Sequence, residues 1–221
     1  MTFPKFTAVL HLKNDEMAVE QAHVAFDNGA NGIFLIDHGR SSKHLLRSYQ
    51  KVREARPDAW IGINFLDASP LKAVDLIPSD AQALWVDDGG IDEASDSQPL
   101  AKEMYRKLCQ LRPGVLLFGG VAFKYQGPVD SPARAAALAA PYMDAVTTSG
   151  AGTGEAPEIE KIRAMKKAIG DKKLAVASGL SPENAKEFAP YIDCFMVATS
   201  ISASFHVLDP KRVRALADVL R

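Results

Sequence analysis

Two turns near the carboxyl end of the chain carry the residue types that bind a phosphate. An apolar run at 174–177 ends in Ser178 and Gly179, and a second run at 194–197 is followed by Ala198, Thr199 and Ser200. Each turn leads into a predicted helix start, where unpaired backbone N–H groups and the helix dipole attract anions. The sequence therefore predicts an anion site at these two turns.

A third loop of small residues precedes them. Thr148 ends an apolar run, and Gly150 and Gly152 belong to the string G-A-G-T-G that follows. This string lacks the spacing and the later acidic residue of a dinucleotide-binding loop. Three interpretations stay open: a mobile lid, part of a ligand cradle, and a flexible strand–helix loop. With Asn64, the predicted substrate and phosphate contacts are Asn64, Thr148, Gly150, Gly152, Ser178, Gly179, Thr199 and Ser200.

Four other residues are candidates for catalysis, because they follow strand-like runs and carry titratable side chains. His11 has an unperturbed pKa near neutrality, which suits a general acid or base; a histidine hydrogen-bonded at a rim is the alternative. Asp37 and Asp87 suit a base, an acceptor for sugar hydroxyls or a metal ligand, and equally the N-cap of the following helix. Lys124 suits an anchoring cation or, if desolvated, a Schiff-base nucleophile.

A cofactor is not predicted. The types of His11, Asp37, His38 and Asp87 suit a divalent metal, but no HxH, HxD or HExxH spacing supports one. Alternation along a strand places His11 on the face of Val9, and Asn64 on the face of Gly62. We expect the face with small or polar members to point into the site.

These residues need a scaffold that brings eight separate segments to one place. Short apolar runs recur through the chain, each followed by polar or glycine residues and then by a helical pattern. Repeated strand–helix pairs call for parallel strands with crossover helices. The predicted fold is a single-domain α/β (βα)8 barrel over 1–221, with an open doubly wound sheet as the alternative. The predicted strands are 6–12, 32–36, 60–65, 83–86, 115–123, 145–148, 174–177 and 194–197.

Composition limits the class of protein. The chain is 47% hydrophobic with a formal net charge of −1, which suits an ordinary globular protein and gives no basic face for nucleic acid. No run approaches the roughly 18 apolar residues that span a bilayer. Cys109 and Cys194 lack metal spacing and predict two buried, reduced thiols in a cytoplasmic protein. Barrels of this size often pair, so a homo-oligomer stays open.

Several segments together resemble a known family. They read, in order, V-L-H-L, N-G-A-N-G-I-F-L-I-D-H-G, I-G-I-N-F-L, T-S-G-A-G-T-G-E-A-P, A-S-G-L-S-P-E-N and F-M-V-A-T-S. This order resembles the BtpA/SgcQ family, which is grouped with the ribulose-phosphate-binding barrels. S-G-L-S-P-E-N is also similar to the phosphate loop of phosphoribosylanthranilate isomerases. Where the BtpA family has a proline- and glycine-rich loop after the first strand, this chain has Asn14 and Asp15.

The resemblance implies a (βα)8 barrel with a phosphate-type pocket, and two functions are compatible with it. One is an enzyme that acts on a sugar phosphate or a phosphoribosyl- or nucleotide-like compound, by acid–base chemistry such as isomerisation or a lyase reaction. The alternative is a non-catalytic assembly or regulatory protein that keeps the pocket, because one cyanobacterial branch of the family is associated with photosystem I assembly. The expected ligand is in both cases a phosphorylated small molecule.

Overall fold

The computed structural model describes residues 2–39 and 41–221, and its central feature is a closed barrel of parallel strands. Each strand pairs with the next, and the last closes against the first through Phe6 opposite Phe195. The (βα)8 barrel predicted from the sequence is confirmed. Its strands are β1 (Phe6–His11), β2 (Gly32–Ile36), β3 (Ile61–Asn64), β4 (Ala83–Val86), β5 (Leu116–Gly120), β6 (Ala145–Thr148), β7 (Lys173–Val176) and β8 (Cys194–Val197).

Helices follow the strands and cover the outside of the barrel. A short 3-10 helix at Ala140–Tyr142 precedes β6, and another at Thr199–Ile201 follows β8. The α-helices are α1 (Asp15–Asp27), α2 (Ser42–Ala55), α3 (Pro70–Leu76), α4 (Pro99–Leu111), α5 (Pro132–Ala139), α6 (Ile159–Ile169), α7 (Ala185–Phe188) and α8 (Pro210–Leu220).

Local chemistry explains where the helices begin. The side chain of Asn14 accepts a hydrogen bond from the Met17 amide at 2.8 Å and caps α1. The carboxylate of Asp209 accepts from the Lys211 amide at 2.9 Å and caps α8. Side-chain oxygens at this position satisfy amides that have no partner within the helix. Four helices also start with proline, whose missing N–H costs nothing at the first position.

Two apolar cores hold the barrel together. The larger one lies between the strands and the helices and contains the outward-facing residues of each strand, such as Ile33 and Leu35 of β2. The smaller one fills the barrel with aromatic rings from alternate positions. Phe34 contacts Trp60, Trp85 and Phe118 edge to face, with ring centroids 5.4, 5.6 and 5.2 Å apart. The barrel is therefore closed by side chains below its mouth.

Strands β1, β3 and β7 differ from their predicted bounds by one residue at one or both ends, and the structure departs further from the expectation at β5, at Cys109 and after β8. β5 ends at Gly120, so 121–123 is not strand; a Cβ on Gly120 would lie 1.9 Å from the Asp87 carbonyl oxygen, which makes this glycine a close backbone approach. Cys109 is exposed on α4, whereas Cys194 is buried as predicted. An antiparallel hairpin, β9 (Ser202–Ser204) and β10 (Val207–Leu208), follows β8 and was not predicted.

No helix in the described part of the chain is both long and apolar enough to cross a membrane.

Candidate active site

The turns after β7 and β8 lie side by side at the carboxyl end of the barrel. The Ser200 hydroxyl donates a hydrogen bond to the Leu180 carbonyl at 2.5 Å and so joins them. Among the hydrogen bonds of the described residues, none is donated by the amides of Gly179, Leu180, Thr199 or Ser200. The helices that follow are only four and three residues long, so their dipoles are small. The unpaired amides, more than the helix dipoles, are therefore the groups at these turns that could bind an anion.

The loop between β6 and α6 packs directly on the β7 turn. The Ser178 hydroxyl donates to the Gly152 carbonyl at 2.9 Å. Gly179 has φ of +64°, and a Cβ there would lie 2.0 Å from the Ala156 amide nitrogen and 2.1 Å from the Glu155 carbonyl carbon. The structure thus brings Gly152, Ser178 and Gly179 together. The hydroxyls of Ser178 and Ser200 hold loops in place, which leaves their lone pairs and the nearby amides for a ligand.

A cluster of imidazole and aromatic rings covers the end of β1. The His11 ring stacks on Phe205 with centroids 4.4 Å apart, and the His38 ring lies 4.9 Å from it. His206 Nδ1 is 2.8 Å from the His11 carbonyl oxygen, so the hairpin after β8 is tied to β1. Burial, followed by the positive charge that His38, His206 and Lys124 carry when protonated, lowers the pKa of His11 to about 4. At neutral pH His11 is therefore a neutral ring.

Asp87 lies at the end of β4, on the same face as Trp85 and therefore toward the barrel interior. The Asn64 side-chain amide donates to an Asp87 carboxylate oxygen at 2.9 Å. Burial raises the pKa of Asp87, and Asn64, Lys124 and His38 oppose this in part. Because its pKa is raised, Asp87 takes up a proton more readily than an exposed aspartate does.

Two predicted site residues face away from the mouth. Asp37 is buried, and a carboxylate oxygen lies 2.6 Å from Nδ1 of His44 on α2, so its side chain lies between barrel and helix. Thr148 is buried, and its hydroxyl donates to the Ala122 carbonyl at 3.1 Å. Both positions follow from alternation: Phe34, Ile36 and His38 share the inner face of β2, which leaves Asp37 outside.

Contacts with the loop after β6 position Lys124. Its amide donates to the buried Ser149 hydroxyl at 2.7 Å, and its ammonium group lies 3.4 Å from the Thr153 hydroxyl. Thr153 belongs to the β6–α6 loop, so the ammonium group lies beside the loop that covers Gly179. Because it carries no ion pair among the described residues, this group is a cation at the mouth without a fixed protein anion.

Lys161 on α6 is a residue that the sequence analysis missed. Its ammonium group donates to the carbonyls of Ala122 and Ser149, at 2.7 and 2.8 Å. Burial lowers the pKa of Lys161 to about 8. Ala122 has φ of +48°, which is unfavourable for a residue with a side chain. Lys161 therefore holds the loops after β5 and β6 in the geometry that presents Lys124.

His38 and the hairpin residues Phe205 and His206 are also at the mouth but were not among the predicted site residues. A signal for His38 was available, because the alternation used for His11 and Asn64 also selects it over Asp37. Phe205 and His206 have no such signal, since they lie in a hairpin whose pairing was not evident. The mouth therefore contains His11, Asn64, Asp87 and Lys124 from the prediction, together with His38, Phe205 and His206.

Three buried side-chain atoms of the described residues have no hydrogen-bond partner: His11 Nδ1, Trp85 Nε1 and one carboxylate oxygen of Asp37. Buried polar atoms are usually paired, so His11 and Trp85, which face the barrel interior, are places where a ligand or water would bond. A cleft of about 900 Å³ opens between the loops after β4 and β5, and both Asp87 and Lys124 line it. Within the described residues, no group of three or more His, Cys, Asp or Glu side chains is arranged to hold a metal ion.

Comparison with known proteins identifies the family. The model of the BtpA family matches residues 58–221, which is most of the chain. The chain belongs to the BtpA family. The resemblance inferred from the sequence motifs is thereby confirmed. No curated protein is similar enough to this BtpA-family chain to count as a match.

Solved structures share the barrel at low sequence identity. Phosphoribosyl anthranilate isomerase from Thermus thermophilus is 18% identical, with a TM-score of 0.67 and 98% of each chain covered. A structure reported as native KDPGal is 15% identical, with a TM-score of 0.72, and covers 99% of this chain and 95% of that one. (S)-3-O-geranylgeranylglyceryl phosphate synthase from Thermoplasma acidophilum, bound to sn-glycerol-1-phosphate, is 15% identical, with a TM-score of 0.67 and coverages of 98% and 92%. At these identities the likeness shows the fold.

Proposed function

We propose that this BtpA-family protein is an enzyme that transfers a proton to or from a phosphorylated small molecule, with Asp87 as the acid–base group. The observation that carries the proposal is the environment of Asp87. Its carboxylate is desolvated, receives one hydrogen bond from Asn64 and lies at the mouth where the anion site opens. A pKa raised toward the working pH is what acid–base catalysis requires.

The substrate is anchored by its phosphate at the β7 and β8 turns. Phosphate oxygens would accept hydrogen bonds there from the amides of Gly179, Leu180, Thr199 and Ser200, none of which has an acceptor among the described residues. These turns are across the barrel from β4 and β5, so a bound sugar phosphate would extend from the amides toward Asp87 and Lys124. The ammonium group of Lys124 would stabilise negative charge that develops on the substrate.

His11 has a different role from the one its residue type suggests. With a pKa of about 4 it is neutral at pH 7 and does not act as a general acid of ordinary strength. Its unpartnered Nδ1 would instead form a hydrogen bond with a substrate hydroxyl or carbonyl. This arrangement suits isomerisation or a lyase reaction, in which a C–H or O–H proton next to a carbonyl is moved.

Solvent-exchange measurements test the proposal without knowledge of the product. A panel of aldose and ketose phosphates is incubated with the protein in D2O, and ¹H NMR follows the loss of C–H signals next to the carbonyl group. We expect exchange with at least one ester, and Asp87→Asn should slow it by about 100-fold or more. Asp88→Asn is the matched control, because Asp88 is exposed and its carboxylate accepts a hydrogen bond from the Gly90 amide of its own loop.

The alternative, a non-catalytic member of the family, predicts a different result. In that case phosphate esters bind but no C–H signal exchanges in the wild type. Exchange that Asp87→Asn leaves unchanged would contradict the assignment of Asp87, whereas exchange lost equally in Asp88→Asn would point to a general disturbance of the β4 loop.

A further inference from the structure

The described part of the chain exposes few large apolar side chains, and most of them surround the mouth. Leu66 follows β3, Leu100 is in the first turn of α4, Tyr125 follows β5 and Phe205 is in the hairpin after β8, so all four lie at the carboxyl end of the barrel. The fifth, Leu111, is the last residue of α4 at the opposite end. Exposed apolar side chains concentrated at one site indicate a ligand with an apolar part.

Phe205 differs from the other three because its ring is stacked face to face on another ring. It lies in the turn of the hairpin, where Ser204 pairs with Val207. Its ring is stacked on His11 with an interplanar angle of 14°, and it meets His38 edge to face at 5.4 Å. The bond between His206 and the His11 carbonyl holds the hairpin on β1. The ring is therefore supported on one face, yet 55% of the residue remains exposed to solvent.

We propose that Phe205 is the stacking platform for a planar ring in the ligand, so that the substrate is a phosphate ester that carries an aromatic or heteroaromatic group. The inference rests on the proposed phosphate site. The hairpin begins directly after the Thr199–Ser200 turn, so a phosphate bound at that turn brings the adjacent part of its ester against the exposed face of Phe205. A planar ligand ring stacked on Phe205 would bury apolar surface, and little conformational entropy would be lost because the Phe205 ring is already held in place.

A small molecule fits this surface better than a protein does. The four exposed apolar residues come from four separate loops around a mouth that also contains Asp87 and Lys124. A protein interface has an apolar core with charged residues at its rim, whereas here the charged groups lie in the centre. A ligand with a phosphate at one end and a ring beside it matches both the unpaired amides and the exposed ring.

Isothermal titration calorimetry with two probes tests the inference. Ribose 5-phosphate supplies the phosphate and sugar, and adenosine 5′-monophosphate adds a planar ring. We expect the wild type to bind the nucleotide about tenfold more tightly. Phe205→Ala should remove this difference and leave the affinity for ribose 5-phosphate unchanged. Phe205→Leu should do the same while it preserves an apolar side chain, and Leu111→Ala should behave as the wild type.

The outcomes separate this inference from the function on which it rests. If the wild type binds both esters equally, or if the gain survives in both Phe205 variants, the stacking platform is rejected and the phosphate site stands. If neither ester binds, both proposals are rejected. Self-association of the wild type that Phe205→Ala abolishes would also reject the platform, in favour of a contact between copies of the chain.

Discussion

At the scale of single residues, burial acts in opposite directions on Asp87 and His11. Removal from water disfavours the charged form of both, so it raises the pKa of Asp87 and lowers that of His11. The pKa of the carboxylate therefore shifts toward neutral pH, and the pKa of the imidazole shifts away from it. The residue type alone favours the histidine as an acid–base group, whereas the shifted pKa values favour the aspartate. Burial at the mouth is therefore the reason why the proposed function assigns proton transfer to Asp87.

The lowered pKa of His11 predicts how stability depends on pH. The unfolded chain protonates its histidine near pH 6.5, whereas folded His11 does so only near pH 4. Between these values the unfolded state binds more protons, so the free energy of unfolding falls as the pH is lowered through this window. A shift of this size corresponds to roughly 3 kcal/mol as an upper limit. The partly buried position of His11 and the charges of His38, His206 and Lys124 all contribute to it.

Urea unfolding of the wild type and of His11→Asn at pH 7 and pH 4.5 measures this contribution. We expect the variant to be less sensitive to acid than the wild type, because asparagine does not titrate. The same loss of stability in both proteins between the two pH values would show that His11 is protonated in the folded state as readily as in the unfolded one.

The sequence predicted correctly which way some side chains near the mouth face and failed for others, for a reason visible in β2. Alternation correctly placed His11 and Asn64 toward the interior, but the aspartate of the Asp37–His38 pair was chosen by its chemistry rather than by its face. Asp37 bonds to His44 on α2, and His38 approaches His11. A one-residue error along a strand moves a side chain from one core to the other. The pKa shifts could not be predicted from the sequence, because they arise from burial and from contacts between segments that are distant along the chain.

At the scale of elements, the site depends on loops that pack on one another. The β6–α6 loop covers Gly179 and bonds to Ser178, while Ser200 joins the β8 turn to the β7 turn. Small residues in these loops were predicted to contact the ligand directly. In the structure they first allow the loops to approach, and the amides that this approach leaves unpaired are the groups available to an anion.

Gly179→Ala tests this close approach, and Gly114→Ala is its matched control. Both glycines have positive φ, +64° and +95°, so both variants carry the backbone cost of alanine there, about 1–2 kcal/mol. Only at position 179 would the new methyl group meet backbone atoms, at 2.0 and 2.1 Å; at 114 nothing lies within 4 Å. We expect Gly179→Ala to lose about 1–3 kcal/mol more in urea unfolding and to bind phosphate esters weakly. Equal losses in the two variants would show that the loop moves aside at no cost.

Element boundaries show what local signals can and cannot do. Four of the strands, β2, β4, β6 and β8, begin and end where the sequence pattern placed them. Proline at a helix start and glycine or hydroxyl residues after a strand are local signals, so they can be recognised in the sequence without knowledge of the fold. The β9–β10 hairpin was not predicted because Ser202–Ser204 is a polar segment of three residues, and the hairpin is held by distant parts of the chain, among them α1, β1 and α8.

At the scale of the whole molecule, eight repeated strand–helix pairs were sufficient to predict a closed barrel. The repeat is encoded locally, and parallel strands with crossover helices leave few other arrangements. The chemistry at the mouth was less predictable, since it depends on which of eight loops touch one another. The aromatic filling around Phe34 and Phe118 closes the barrel below the mouth, so the proposed ligand would enter from the carboxyl end and lie across these loops.

Phosphate binding at the mouth should therefore stabilise the whole barrel, because a ligand that binds only the folded state raises the free energy of unfolding. The gain is about 2.7 kcal/mol when the ligand concentration is about 100 times Kd, and for a chain of this size that raises Tm by roughly 5–10 °C. We expect inorganic phosphate to raise Tm of the wild type and of Gly114→Ala, but not of Gly179→Ala. Sodium chloride at the same ionic strength should have little effect on Tm, since it screens charges but does not form hydrogen bonds with the four amides as phosphate does. An equal rise in chloride, or an undiminished rise in Gly179→Ala, would place the anion elsewhere on the barrel.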